Sequence, residues 1–341
     1  MKHNTFLAVD PEWLALHSEE ILLPELPIVD AHHHLWDRHG WRYLLDELLA
    51  DLGSGHRIVE TVFIQCWAMY RADGPEWLRP VGETEFANGI AAMSASGNYG
   101  SSRIAKAIVC HADLRHPRLE ESLEAHLRAA GGRLRGLRQI TAWDEDASLV
   151  NPEAGSSPRM LGDPAFLRGM QLVQKAGLSL DAWLYHPQID ELTALARALP
   201  DCRIVLDHMG GPLGAGAYEG RSAEVFARWA RSIDELARCP NVFVKIGGMG
   251  MRVFGFGSNQ RARPPSSQEL ADLWRPCVET CIDAFGTARC MFESNFPVDK
   301  GAYSYAVGWN AMKRLAQGAS ARERDDLFSG TARRFYRLDG N

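Results

Sequence analysis

Apolar residues recur along this chain in two alternating patterns. Short runs of aliphatic and β-branched residues give way to longer stretches whose apolar positions fall three or four apart, and the switch between strand-like and helix-like periods repeats from residue 27 onward. The strand-like runs are Pro27–His34, Glu60–Cys66, Ala105–Cys110, Leu134–Ile140, Leu178–Leu184, Arg203–Leu206, Asn241–Ile246 and Arg289–Phe292. Helical spacing covers Leu119–Ala130, Phe166–Ala176, Gln188–Leu199, Ala223–Arg238, Ser267–Ala284, Ser304–Gln317 and Ala321–Tyr336. Strands separated by helices imply a parallel sheet covered on both faces. Eight strand runs favour an α/β fold of the (β/α)8 TIM-barrel type over an open sheet. No G-x-G-x-x-G follows the first run, so a dinucleotide-binding fold lacks its signature.

Residues 1–26 read as a polar leader and 27–341 as a single barrel domain. The stretches Leu149–Leu161 and Met249–Ser266, rich in Gly, Pro and Ser, read as long loops of the kind that serve as lids or binding loops. Neither interrupts the strand–helix rhythm, so neither marks a domain boundary.

Composition narrows the function classes. A hydrophobic share of 46% with 23% charged residues is that of a globular chain with a packed core. The formal charge of -6 and the scatter of Lys and Arg argue against a nucleic-acid partner. The first residues mix His3, Asp10, Glu12 and His17 with apolar ones, unlike a signal peptide, and no run approaches the roughly 20 apolar residues of a membrane span. The expectation is a soluble, cytoplasmic protein. Its seven widely spaced cysteines fit reduced thiols better than a disulfide framework.

The candidate chemistry gathers at strand ends, where barrel enzymes keep their sites. His32 and His34 share one face of the first strand while His33 points the other way. Two imidazoles at that spacing hold one metal ion or bracket an anionic group; the plainer reading is a pair of hydrogen-bonded histidines. His186 and His208 each follow an apolar run and converge with them once the barrel closes. Asp207 is expected to face away from His208, in a supporting role. Gln65, Arg138 and Lys245 add polar groups to the wall, with Arg138, aided by Lys245, suited to gripping a carboxylate. On the last strand Glu293 and Asn295 share a face, and only Glu293 can act as a base. Trp36, Trp67 and Phe296 supply an apolar wall.

Three segments together, Asp30-Ala31-His32-His33-His34-Leu35-Trp36, Leu206-Asp207-His208-Met209-Gly210-Gly211-Pro212 and Met291-Phe292-Glu293-Ser294-Asn295-Phe296-Pro297, resemble the amidohydrolase superfamily. The resemblance is to its amidohydrolase-2 group of sugar-lactone and pyrone-dicarboxylate lactonase relatives. It implies a distorted (β/α)8 barrel, with His32, His34, His186 and His208 as the catalytic and metal-binding imidazoles. It also implies either one divalent ion, zinc or manganese, or a metal-free site. The family's strand-eight aspartate, which handles the proton of the attacking water, is replaced here by Asn295, and Glu293 stands where the family has glycine. The reading is a hydrolase opening a small carboxylate-bearing lactone or related cyclic ester, with a homo-oligomer as an open possibility. The alternatives are a metal-dependent nonoxidative decarboxylase and an inactive small-molecule-binding protein.

Overall fold

A computed structural model describes residues 6–38 and 40–339. Eight parallel strands pair in chain order: β1 (Ile28–His33), β2 (Ile58–Ile64), β3 (Arg103–Cys110), β4 (Leu134–Leu137), β5 (Ser179–Ala182), β6 (Arg203–Leu206), β7 (Val242–Ile246) and β8 (Cys290–Phe292). The ring closes beyond the end of β8, where Asn295 donates its N–H to the His32 carbonyl (2.9 Å) and His34 donates to the Phe296 carbonyl (2.8 Å). This is the expected barrel, distorted at that seam.

Alternation along each strand sorts the side chains. Ile28, Phe63, Ile108, Leu137, Leu180 and Phe292 pack outward under the helices. Val29, Ala31, Val62, Ile64, Ala107, Val109, Val205 and Met291 fill the barrel interior. The same interior cluster takes in Ala332, Phe335, Tyr336 and Leu338, so the C-terminal helix Thr331–Tyr336 plugs one end of the barrel.

Helix starts follow their sequence signals. Asp163 precedes Pro164 and caps the Ala165 N–H, and Ser266 forms a capping box with Glu269 at the head of Ser267–Phe285. Two helices lacked an amphipathic signal strong enough to read. Leu45–Leu52 is short, and Val81–Ala95 packs through small residues such as Ala87, Ala91 and Ser94. A two-stranded ribbon, Trp36–Arg38 with Trp41–Tyr43, follows β1 and is too short to show a period.

The N-terminal segment is tied to the barrel. Leu22 donates to Asn310, Lys313 donates to the Leu22 and Leu23 carbonyls, Glu19 accepts from Ser267, and Phe6 lies against Trp36 and Trp41. No helix among the described residues is long and apolar enough to cross a membrane.

The plug meets the polar interior through Tyr336, whose hydroxyl donates to Asp181 Oδ2 at 2.6 Å, both groups fully buried. Removing that donor in Tyr336→Phe should lower unfolding free energy by about 1.5–3 kcal/mol, the range for a hydrogen bond to a charged group. Urea unfolding checks this; an unchanged midpoint would mean the plug is held by apolar packing alone.

Candidate active site

The site is built where interior-facing positions turn from apolar to charged. Val205, Phe243 and Met291 face inward, and two residues on along each strand stand Asp207, Lys245 and Glu293. On β5 the inward position is Asp181. None of these four charged side chains is exposed to any extent. Lys245 Nζ lies 2.7 Å from Asp181 Oδ2 and 3.1 Å from Asp207 Oδ1, and Arg138 Nη1 lies 3.5 Å from Asp207 Oδ2. Burial alone would raise the Asp207 carboxyl, but Lys245, His208 and Arg138 together hold it below its ordinary range. Burial dominates at Asp181 and pushes it up to about 6. Lys245, which burial alone would lower, is held above its usual value by Asp181, Asp207 and Glu293.

The imidazoles stand on this network. Cations face both ring nitrogens of His32, Arg138 Nη1 at 3.2 Å from Nε2 and Lys245 Nζ at 3.1 Å from Nδ1, and Glu293 Oε2 lies 2.9 Å from Nδ1. His34 donates from Nδ1 to the Ile64 carbonyl (2.8 Å), which puts the lone pair of the neutral ring at Nε2, 3.2 Å from His32 Nε2. Burial, reinforced by the nearby cations, holds both rings neutral, well below the ordinary histidine value. His208 completes the set, with Nδ1 only 2.5 Å from Glu293 Oε1.

Asp207 corrects the sequence reading. It is the residue that alternation turns inward, and His208 joins it because its backbone is left-handed (φ 52°, ψ 39°), which breaks the strand alternation. Two glycines leave the room: a Cβ on Gly247 would come within 2.4 Å of Glu293, and one on Gly248 within 2.5 Å of His208 Nδ1.

His32, Asp207 and His208 each offer one donor atom within 4.8 Å of the others, a candidate divalent-metal centre. The donor set fits such an ion. Asp207 is buried and faces Lys245 and Arg138 only through ion-pair contacts of 3.1 and 3.5 Å, and Glu293 lies beside both rings, 2.9 Å from His32 Nδ1 and 2.5 Å from His208 Nδ1. The three carboxylates also outnumber the two fixed cations, leaving a negative charge to balance.

The remaining predicted residues fall in several places. His34, Arg138, His208, Asn295, Trp36 and Trp67 line one cavity with Phe6, Arg38, Trp183 and Tyr185. Asn295 donates to Asp299 Oδ1 (2.9 Å). Glu293 sits behind the rings and not on the cavity wall. Gln65 is wholly buried and contributes its carbonyl, which accepts from Arg138 Nη2. Lys245 does not reach the mouth. Phe296 packs against Tyr303 and Tyr305, away from the cavity.

His186 does not join the other imidazoles. β5 ends at Ala182, and the chain then turns so that His186 Nδ1 accepts from the Leu213 N–H and its ring meets Tyr218, lining a separate cavity with Trp143 and Arg228. Trp183 takes the place beside His208 instead, ring centroids 4.7 Å apart. Asp181 was readable as a charge inside an apolar strand; Arg38 and Phe6 carried no comparable signal.

The amidohydrolase family profile matches residues 29–338. The chain belongs to the amidohydrolase family. It is 32% identical to the uncharacterised protein y4mH of Sinorhizobium fredii over 93% of this chain and all of that one. It is 27% identical to an L-fucono-1,5-lactonase of Burkholderia multivorans, covering 91% of this chain and 96% of the lactonase. A crystal structure of an amidohydrolase from Burkholderia multivorans with bound zinc superposes with a TM-score of 0.70 at 27% identity, over 91% of this chain and 99% of that one. The family resemblance of the three motifs is thereby confirmed.

The protonation states assigned above are directly observable. Ring-nitrogen NMR of metal-free protein should show His32 and His34 neutral, with the His34 hydrogen on Nδ1, from pH 8 down to the ordinary histidine value of 6.5 and below. An imidazolium signature for either ring above pH 6.5 would contradict the assignment.

Proposed function

We propose that the protein is a hydrolase that opens a small carboxylate-bearing lactone or related cyclic ester. The observation that carries this reading is the set of inward-facing imidazoles at the foot of an aromatic-walled cavity, two of them fixed by one carboxylate. The lactonase and zinc-bound relatives support it. His32, Asp207 and His208 would hold a divalent ion, which when bound would supply Lewis-acid polarisation of the scissile carbonyl.

The chain's own groups do the rest. Trp36, Trp67 and Trp183 line the cavity and orient a flat ring. Arg138, in the same wall and within hydrogen-bond reach of His32, stabilises negative charge developing on the carbonyl oxygen. His34 is the proton acceptor for the attacking water: it lines the cavity, is neutral, has its lone pair at Nε2, and lies outside the metal cluster. It then returns the proton to the leaving alkoxide. Glu293 orients His32 and His208 and takes no proton from substrate.

These roles separate in two variants. His34→Gln should lower kcat for lactone opening by about 10²- to 10⁴-fold, the usual worth of general-base assistance, while ion content is kept. Glu293→Gln should weaken ion affinity by about 10- to 100-fold, as loss of an orienting carboxylate does. A pH-stat assay over carboxylated and neutral lactones, with metal content measured alongside, tests both. Carbon dioxide release without ring opening would shift the assignment to the decarboxylase chemistry, and saturable binding with no turnover to the binding protein.

A further inference from the structure

Two cations, Arg38 and Arg138, line the cavity. Arg138 commits both Nη atoms to protein acceptors, Nη2 to the Gln65 carbonyl and Nη1 to His32 and Asp207, and keeps only Nε without a partner among the described residues. Lys245 is sealed inside the barrel. The sequence reading gave the substrate carboxylate to these two residues; Lys245 does not reach the cavity, and Arg138, with both Nη atoms taken, has no paired donors left for a carboxylate.

Arg38 is placed differently. It ends the first strand of the ribbon after β1, its side chain 15% exposed, with its guanidinium carbon 4.7 Å from the Trp36 ring centroid, 5.4 Å from Phe6 and 6.0 Å from Trp67. Aromatic rings engage a guanidinium through its π-face and leave the in-plane N–H groups for an anion. Nη2 is buried with no hydrogen-bond partner among the described residues. The ion-pair contact of Nη1 is a long one, 3.7 Å to Glu153 Oε2, on a glutamate side chain 52% exposed in the loop across the mouth. A buried donor without an acceptor costs free energy that an incoming carboxylate recovers.

We propose that Arg38 recognises the anionic group of the substrate, exchanging its loose contact with Glu153 for a paired contact with a ring-borne carboxylate. The aromatic box fixes the guanidinium in advance, so binding orders little. The ring of such a ligand then lies against Trp36 and Trp67, between Arg38 and the imidazoles. This deepens the hydrolase reading and rests on it for the substrate's being a carboxylated ring.

Isothermal titration with isophthalate and with its neutral isophthalamide counterpart tests this without turnover. Wild-type protein should prefer the dianion, and Arg38→Gln should lose about tenfold or more of isophthalate affinity while binding isophthalamide nearly as before. Arg38→Lys should keep part of the preference, and Glu153→Gln, on the exposed loop, should tighten isophthalate by removing the competing carboxylate. Circular dichroism confirms that each variant is folded. No preference in the wild type, or a preference that survives Arg38→Gln, overturns the assignment. A preference that depends on Arg38 in a protein that opens no lactone would leave Arg38 as the anion site and overturn the hydrolase reading alone.

Discussion

Charges that leave water must be paired, and in this barrel that requirement organises everything above it. Asp181, Asp207, Lys245 and Arg138 form a chain of ion pairs in the barrel interior, touched from one end by Tyr336 of the C-terminal plug and from the other by His32. Breaking such a buried pair by removing one partner costs about 3–5 kcal/mol, because it strands the other charge. The network is therefore a rigid floor. It fixes Arg138 and Lys245, which face the two ring nitrogens of His32, and Glu293 lies between His32 and His208.

The strand-eight departure from the pattern that the resemblance implies changes where a carboxylate stands. With Asn295 in the aspartate position, a carboxylate is lost from the cavity wall, and Glu293 brings one in from two residues earlier on the same interior face. It arrives behind the imidazoles and not beside the cavity. Asn295 instead holds Asp299, which also accepts from Tyr303 and from the Gly250 N–H, so it ties β8 to the long loop after β7.

The barrel was legible because each of its strands carries an apolar pattern that does not depend on the others. The pairing of His32 with His34 on one face was legible from local alternation, but their inward direction was not: Val29 and Ala31 also face inward, and an irregularity between Asp30 and His33 turns His33 out against Thr61 and Phe63. The network was not, because whether Lys245 meets Asp207 depends on how neighbouring strands register around a closed ring. Asp207 was misplaced because alternation was counted back from His208, whose left-handed backbone breaks the count. His186 was placed by assuming that β5 continued past Ala182, where the chain in fact turns. Phe6 and Arg38 reach the mouth through segments with no periodic signal at all.

The central claim is that the buried floor presents His32, Asp207 and His208 as one divalent-metal centre. Elemental mass spectrometry on untagged protein, purified without added metal and then equilibrated with zinc or manganese and desalted, tests it most directly. The account predicts about one ion per chain in the wild type and a small fraction of that in Asp207→Asn, whose fold is checked separately. A folded wild-type protein that retains no ion after equilibration, or an Asp207→Asn variant that retains a full complement, would contradict it.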